Sequence, residues 1–150
     1  MVDDIEIQEI DKLVATARKA QQNYEARGSQ ELFDLACQAV GWALMQPENN
    51  SELSKLAVSE TGLGNVQDKI QKNHNKTLGL LRDLKDIKSF GHIYDDDVKG
   101  LSVYFRPKGV IAAIVPSTNP LATPTNNIIN ALKTGNSIIV APSPKGAAPF

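Results

Sequence analysis

The residues best suited to chemistry form a short turn at positions 116–120, with the sequence PSTNP. Its two prolines restrict the backbone and remove two N–H donors, so the turn is stiff. Between them, Ser117, Thr118 and Asn119 present two hydroxyl groups and one amide. An amide N–H that points into a site can stabilise a developing oxyanion, but an asparagine here can also cap the helix that follows. The residues alone leave both roles open for Asn119.

The turn lies within a predicted strand–turn–helix–strand unit. Apolar runs at 110–115 and 137–141 predict two buried strands, and an amphipathic helix up to about Lys133 is predicted between them. Such a unit places its strands parallel, with the helix crossing over. Ligands of open parallel sheets bind just beyond the carboxyl ends of the strands. We therefore expect the site where the two strands end, at 116–120 and 141–144.

A leading helical part precedes this unit. Apolar residues at helical spacing predict four helices. The first spans 4–27, the second restarts at Ser29, the third is capped by Asn50 or Ser51, and the fourth is capped by Asn65. The lysines of the fourth helix alternate with aspartates along the sequence, so we expect them on a solvated outer face. Lys69 and Lys72 belong to that set.

The region after the fourth helix is expected to be a polar connection. Three aspartates at 95–97 predict an exposed turn, and the sheet is expected to begin near residue 100 with an edge strand near Leu101. We therefore assign residues 1–99 to a helical layer that precedes the sheet. Residues 100–150 are assigned to the first strands and the crossover helix of the same domain.

The composition is that of a globular protein and restricts the classes of partner. The net charge of −1 gives no indication of binding to nucleic acid or to an anionic membrane. The acidic start has no long apolar run, so neither a secretory signal nor a membrane span is predicted. The one cysteine and two histidines do not supply the ligands of a metal site. We expect a cytoplasmic protein.

The single cysteine, Cys37, is predicted to pack in the core. It lies mid-helix among apolar neighbours, without the basic partner or helix N-terminus that would lower its pKa.

The predicted sheet is too small for a finished doubly wound domain. The fold class is therefore α/β, with a leading helical layer and an incomplete parallel sheet, and we expect the chain to be the N-terminal part of something larger.

Three segments resemble the CoA-acylating aldehyde dehydrogenases: AVSETGLGNVQDKIQKNH at 57–74, RPKGVIAAIVPSTNP at 106–120 and ALKTGNSIIVAPSPKGA at 131–147. This branch includes the aldehyde dehydrogenase half of bifunctional aldehyde-alcohol dehydrogenases. The run NKTLGLLRDLKD at 75–86 is most similar to members that act on sulfoacetaldehyde. The resemblance implies that residues 1–99 are the helical layer of a Rossmann-type, NAD(P)-binding domain and that residues 100–150 belong to the same cofactor-binding domain. Neither GxGxxG nor GxxxxGK[ST] occurs in the sequence.

The resemblance also implies a reaction and a set of partners. A cysteine thiolate attacks a small aldehyde, a hydride passes to NAD or NADP, and coenzyme A releases the acyl group as a thioester. The family's nucleophile lies downstream of the matched region, so this chain is expected to be inactive alone and to form a homo-oligomer when full length. An acetaldehyde-specific part of an aldehyde-alcohol dehydrogenase and a non-catalytic binding or assembly module remain alternatives.

The resemblance assigns two groups of site residues. Asn119 is the candidate oxyanion donor, and the turn that contains it is expected to line the nicotinamide side of the cofactor. The second strand end is expected to contact the cofactor or CoA. The cofactor-binding candidates are Val115, Pro116, Ser117, Thr118, Asn119 and Pro120 at the first strand end, and Ala141, Pro142, Ser143 and Pro144 at the second.

Overall fold

Five helices and four strands make up the fold. A computed structural model describes residues 4–149. The helices are α1 (Asp4–Ala26), α2 (Gln30–Met45), α3 (Pro47–Thr61), α4 (Val66–Leu84) and α5 (Ala122–Lys133). The strands are β1 (Gly91–Asp96), β2 (Leu101–Phe105), β3 (Val110–Ile114) and β4 (Ser137–Ala141), and a single 3₁₀ turn follows at Pro144–Gly146.

Side-chain caps set the starts of two helices as predicted. Ser29 accepts a hydrogen bond from the Leu32 N–H at 3.1 Å before α2, and Asn65 accepts one from the Asp68 N–H at 2.9 Å before α4. The predicted cap of α3 is wrong. That helix begins at Pro47, because proline suits the first helical position, and both Asn50 and Ser51 lie inside the helix.

The strand–turn–helix–strand prediction is confirmed. β3 and β4 pair in parallel, from Val110 opposite Ser137 to Ile114 opposite Ala141, and α5 crosses between them. Gly135 ends the connection from α5 with a φ of +73°. The expected burial of these strands does not hold within this chain, since most of their residues are only half-buried and the Ile114 side chain is exposed.

The strand predicted near Leu101 is present as β2, but its place at the edge of the parallel sheet is wrong, and the turn predicted at 95–97 begins only at Asp97. β2 pairs with β1 as an antiparallel hairpin in a separate sheet, so the first strand begins at Gly91 and not near residue 100. Asp95 lies within β1, where its carboxylate accepts hydrogen bonds from Ser102 Oγ at 2.6 Å and from the His92 ring at 3.0 Å. These bonds lower the pKa of Asp95. The cross-strand bond to Ser102 explains why an acidic residue lies in a strand.

The core lies between α2 and α5. Phe33 is fully buried at its centre, with its ring centroid 4.7 Å from that of Tyr24 and 5.0 Å from that of Phe90. The other buried apolar residues of the core include Leu44, Ala57, Val115, Leu121, Ala122, Ile129 and Ala131. The apolar positions of α1, in contrast, are largely exposed in this chain. None of the helices within residues 4–149 is both long and apolar enough to cross a membrane.

The α4 helix buries a polar face, contrary to the prediction. Lys69, Asn73 and Thr77 are its buried residues, and they lie four positions apart on one side of the helix. Asn73 Nδ2 donates to Asn50 Oδ1 at 2.8 Å and to Ser54 Oγ at 3.2 Å on α3. This network packs α3 against α4 and places Lys69 towards the end of β3.

Candidate functional site

The turn at 116–120 leaves the carboxyl end of β3 in a fixed position. The buried Val115 extends the pairing beyond the strand, because its N–H donates to the Ala141 carbonyl at 2.9 Å. The Asn119 N–H donates to the Pro116 carbonyl at 3.4 Å and closes the turn. Pro120 is buried. The turn is therefore anchored at both ends.

The second strand end lies beside the first. The Gly146 N–H donates to the Ser143 carbonyl at 2.9 Å and bends the segment after β4. Gly146 then packs on the turn so closely that a Cβ atom there would lie 3.2 Å from Pro120 Cβ and 3.6 Å from Ser117 Cα. The structure thus brings together the two groups of residues that the sequence singled out, while their roles stay predictions.

The amide of Asn119 does not cap α5. The helix begins at Ala122 after Leu121, and no side chain accepts a hydrogen bond at its start. The Asn119 side chain is half-buried and has no hydrogen-bond partner within residues 4–149. The helix-cap alternative is therefore wrong, and the amide group is available to a ligand at the strand end.

One residue of this region was placed wrongly from sequence. Lys69 was expected on a solvated face, but its side chain is only 6% exposed and its ammonium Nζ donates to the Thr118 carbonyl at 3.1 Å. Burial and the neighbouring Lys72 ammonium both lower the pKa of Lys69. The polar spacing of 69, 73 and 77 is the signal that sequence reasoning could have used.

A cleft of about 310 Å³ lies between the start of α4 and the turn. The two lysines, Asp68 and Thr118 contribute polar groups to it, and its other lining residues are Leu63, Gly64 and Asn65. Within the described residues, neither Lys69 nor Lys72 forms an ion pair with a carboxylate. The cleft therefore carries more positive than negative charge beside the turn.

Cys37 is a packing residue, as predicted. Its side chain is buried, and the Sγ–H donates to the Ile129 carbonyl at 3.3 Å across the α2–α5 interface. Burial raises its pKa to about 11, even though the Lys133 ammonium acts in the opposite direction. A thiol that stays protonated and enclosed is not suited to nucleophilic attack.

Comparison with known proteins assigns the family. The model of the aldehyde dehydrogenase family matches residues 1–149. The chain belongs to this family. The sequence resemblance to aldehyde dehydrogenases is therefore confirmed, and the strand–turn–helix–strand unit described above is part of an aldehyde dehydrogenase fold.

Two relatives of this aldehyde dehydrogenase chain are named as acylating or acetylating enzymes. A sulfoacetaldehyde dehydrogenase (acylating) of Cupriavidus necator is 58% identical over 134 residues, which are 89% of this chain and 27% of that protein. An acetylating aldehyde dehydrogenase from Geobacillus thermoglucosidasius superposes with a TM-score of 0.89 at 32% identity, over 99% of this chain and 33% of that one.

A ligand-bound structure also matches this aldehyde dehydrogenase chain. It is an engineered glycolyl-CoA reductase with bound NADP+, with a TM-score of 0.73 at 31% identity, over 90% of this chain and 30% of that one. The chain spans about a quarter to a third of the length of the three relatives described.

Proposed function

We propose that the full-length protein oxidises a small aldehyde to an acyl-CoA, with NAD or NADP as the hydride acceptor and coenzyme A as co-substrate. The observation that carries the proposal is the side-chain amide of Asn119, which lies after the end of β3 in an anchored turn and makes no hydrogen bond within residues 4–149. Membership of the aldehyde dehydrogenase family and the acylating relatives support the same reaction.

The role proposed for Asn119 is to stabilise an oxyanion. When a thiolate adds to an aldehyde, the carbonyl oxygen becomes negatively charged, and an amide N–H₂ group can donate to it. Because the turn is held by the Val115 and Asn119 backbone hydrogen bonds, this donor needs little reorganisation during the reaction. The thiolate itself is proposed to come from a cysteine outside residues 1–150, since Cys37 is buried against α5.

The cofactor is proposed to lie across the two strand ends. Ala141 is exposed, and the hydroxyl group of Ser143 has no hydrogen-bond partner in the part of the chain that the structure describes. Residues 115–120 and 141–144 would therefore hold a dinucleotide through backbone and hydroxyl groups. The nicotinamide supplies the acceptor for the hydride that leaves the substrate.

We propose sulfoacetaldehyde as the substrate, because the relative of 58% identity is named a sulfoacetaldehyde dehydrogenase (acylating).

We further propose that the enzyme is cytoplasmic and homo-oligomeric, without nucleic-acid or membrane partners. The reduced, buried Cys37 is compatible with a reducing compartment. Exposed apolar side chains on β2, among them Leu101, Tyr104 and Phe105, are compatible with a subunit interface.

The test is an assay of the full-length protein with sulfoacetaldehyde, CoA and either NAD+ or NADP+. Product analysis by mass spectrometry should show the acyl-CoA only when all three are present, together with an equal amount of reduced nucleotide. Formation of the free acid without CoA would contradict the acylating reaction. A strong preference for acetaldehyde over sulfoacetaldehyde would instead favour the aldehyde-alcohol dehydrogenase alternative. Residues 1–150 alone should be inactive.

A further inference from the structure

One side chain of the helical layer supports the turn at 116–120. The Lys69 ammonium donates to the Thr118 carbonyl at 3.1 Å, and no other side chain within residues 4–149 forms a hydrogen bond to the turn. The backbone bonds of Val115 and Asn119 anchor the two ends of the turn. The bond from Lys69 therefore holds its centre.

The turn benefits from this support because few backbone hydrogen bonds hold it. Its two prolines have no N–H group. The bond that closes the turn, from the Asn119 N–H to the Pro116 carbonyl, is 3.4 Å long, whereas such bonds are usually about 2.9–3.0 Å. The Thr118 carbonyl and the Asn119 N–H belong to one planar peptide group, so a charged donor on that carbonyl polarises the group and strengthens the bond from its N–H. Lys69 thus fixes the backbone that carries the Asn119 side chain.

The burial of Lys69 is costly, which favours a role beyond packing. Its side chain is only 6% exposed, and no carboxylate of the described residues forms an ion pair with it. Removal of an ammonium from water costs free energy that one bond to a neutral carbonyl does not fully recover. An apolar side chain of similar length would fill the same space without this cost. A residue that lowers stability in this way is typical of a functional site.

Polar contacts also fix the helix from which Lys69 extends. The Lys69 N–H donates to the Asn65 carbonyl at 3.1 Å in the first turn of α4, and the Asn65 side chain caps that helix. One turn further along, Asn73 bonds to Asn50 and Ser54 of α3. The ammonium of Lys69 therefore reaches the turn from a rigid base.

We propose that Lys69 is a positioning residue, which orients the side-chain amide of Asn119 towards the developing oxyanion by holding the Thr118–Asn119 peptide group. This inference rests on the proposed function, since it concerns the donor that the proposed reaction uses. Lys69 acts through the backbone and not through contact with the aldehyde. It therefore affects the chemical step in the same way for charged and uncharged aldehydes.

The first experiment measures acyl-CoA formation by the full-length enzyme with sulfoacetaldehyde and with propionaldehyde. Lys69→Met should lower kcat about 10- to 100-fold for both aldehydes, with each KM within about threefold, because a catalytic group displaced by about 1 Å has this effect. Lys69→Arg should restore most of kcat, since it retains N–H donors and the adjoining cleft of about 310 Å³ has room for its larger head group.

Lys76→Met is the matched control, because Lys76 is an exposed lysine of α4 outside the cleft. It should change neither kcat nor KM. A loss in Lys69→Met that is confined to KM, or to one of the two aldehydes, would overturn the inference and assign Lys69 to substrate binding.

A double variant tests whether Lys69 acts through Asn119. Asn119→Ala removes the donor, so the addition of Lys69→Met should lower kcat by less than about twofold further. If the two losses multiply, Lys69 acts independently of Asn119 and the inference is overturned. The urea midpoint of Lys69→Met should be no lower than that of the unaltered protein, because a buried charge is removed. A lower midpoint would assign Lys69 to stability instead of positioning.

Hydrogen–deuterium exchange separates this inference from the proposed function, because it needs no turnover. The peptide that contains the turn should exchange about tenfold faster in full-length Lys69→Met than in the unaltered protein, since one charge-assisted hydrogen bond is lost. Lys76→Met should leave the exchange rate unchanged. Equal exchange in Lys69→Met and the unaltered protein would overturn the inference. Failure of the unaltered protein to form acyl-CoA, with the expected difference in exchange, would overturn the proposed reaction alone.

Discussion

The ammonium of Lys69 donates a hydrogen bond to the backbone oxygen of Thr118, with 3.1 Å between Nζ and O. This contact joins the start of α4 to the turn after β3, across 49 residues of sequence. The helical layer and the first strand end are therefore in direct contact. Interactions that stabilise the packing of α4 should therefore also affect the position of the turn that carries Asn119.

The Asn73 network is expected to stabilise this packing. Asn73→Ala should lower the free energy of unfolding by about 1–3 kcal/mol, because Asn50 and Ser54 lose buried hydrogen-bond partners. Urea titration of the full-length protein measures the change. His74→Ala, at the neighbouring exposed position, is the control and should stay within about 0.5 kcal/mol. Equal stability of the two variants would show that the network contributes nothing.

Gly135 is expected to tolerate no side chain. Its φ is +73°, and a Cβ atom would lie 2.7 Å from the Phe33 ring and 2.8 Å from Pro107 Cγ. Gly135→Ala should therefore destabilise the protein by about 2–4 kcal/mol through backbone strain and overpacking. Gly79→Ala is the matched control, since this helical glycine has open space around it and alanine should stabilise α4 by about 0.5–1 kcal/mol. A tolerated alanine at 135 would contradict the core packing described.

The reactivity of Cys37 should depend on pH in a specific direction. Because burial raises its pKa to about 11, the thiol stays protonated in the native protein at pH values where an exposed cysteine has begun to ionise. The unfolded state ionises first, so the contribution of this thiol to stability is lost as the pH rises through about 9 to 11.

Alkylation with iodoacetamide, followed by mass spectrometry of the Cys37 peptide, measures this reactivity. The peptide should remain unlabelled in native protein at neutral pH and become labelled in urea. Native labelling should accelerate only as the pH approaches the raised pKa. Rapid labelling of the native protein at neutral pH would be incompatible with a buried, protonated Cys37.

The strand–turn–helix–strand unit could be predicted because its signals are local. Apolar runs specify β3 and β4, and Gly135 marks the tight connection that its positive φ requires. The caps of α2 and α4 are equally local, since Ser29 and Asn65 each bond to an N–H three residues later. In these elements each residue's nearest neighbours in sequence decide the structure.

The errors arise where a distant residue decides the environment. Lys69 was placed on a solvated face because its partner, Thr118, belongs to another element. Asp95 was assigned to a turn because Ser102, which pairs with it across the β1–β2 hairpin, was not known to face it. The sequence left helix capping open as one role of Asn119, and the structure excludes it because Pro120 and Leu121 intervene before α5 begins at Ala122. None of these polar contacts can be inferred from the hydrophobic pattern of the sequence alone.

The most direct test of the account is the turnover number of Asn119→Ala in the full-length enzyme. The variant should lower kcat for acyl-CoA formation by about 10²- to 10³-fold, because one oxyanion donor is removed. Its free energy of unfolding should be nearly unchanged, since the side chain makes no hydrogen bond within residues 4–149. Asn130→Ala, an exposed asparagine on α5, is the control and should retain full turnover. An Asn119→Ala enzyme with unaltered kcat would contradict the proposed role of the turn.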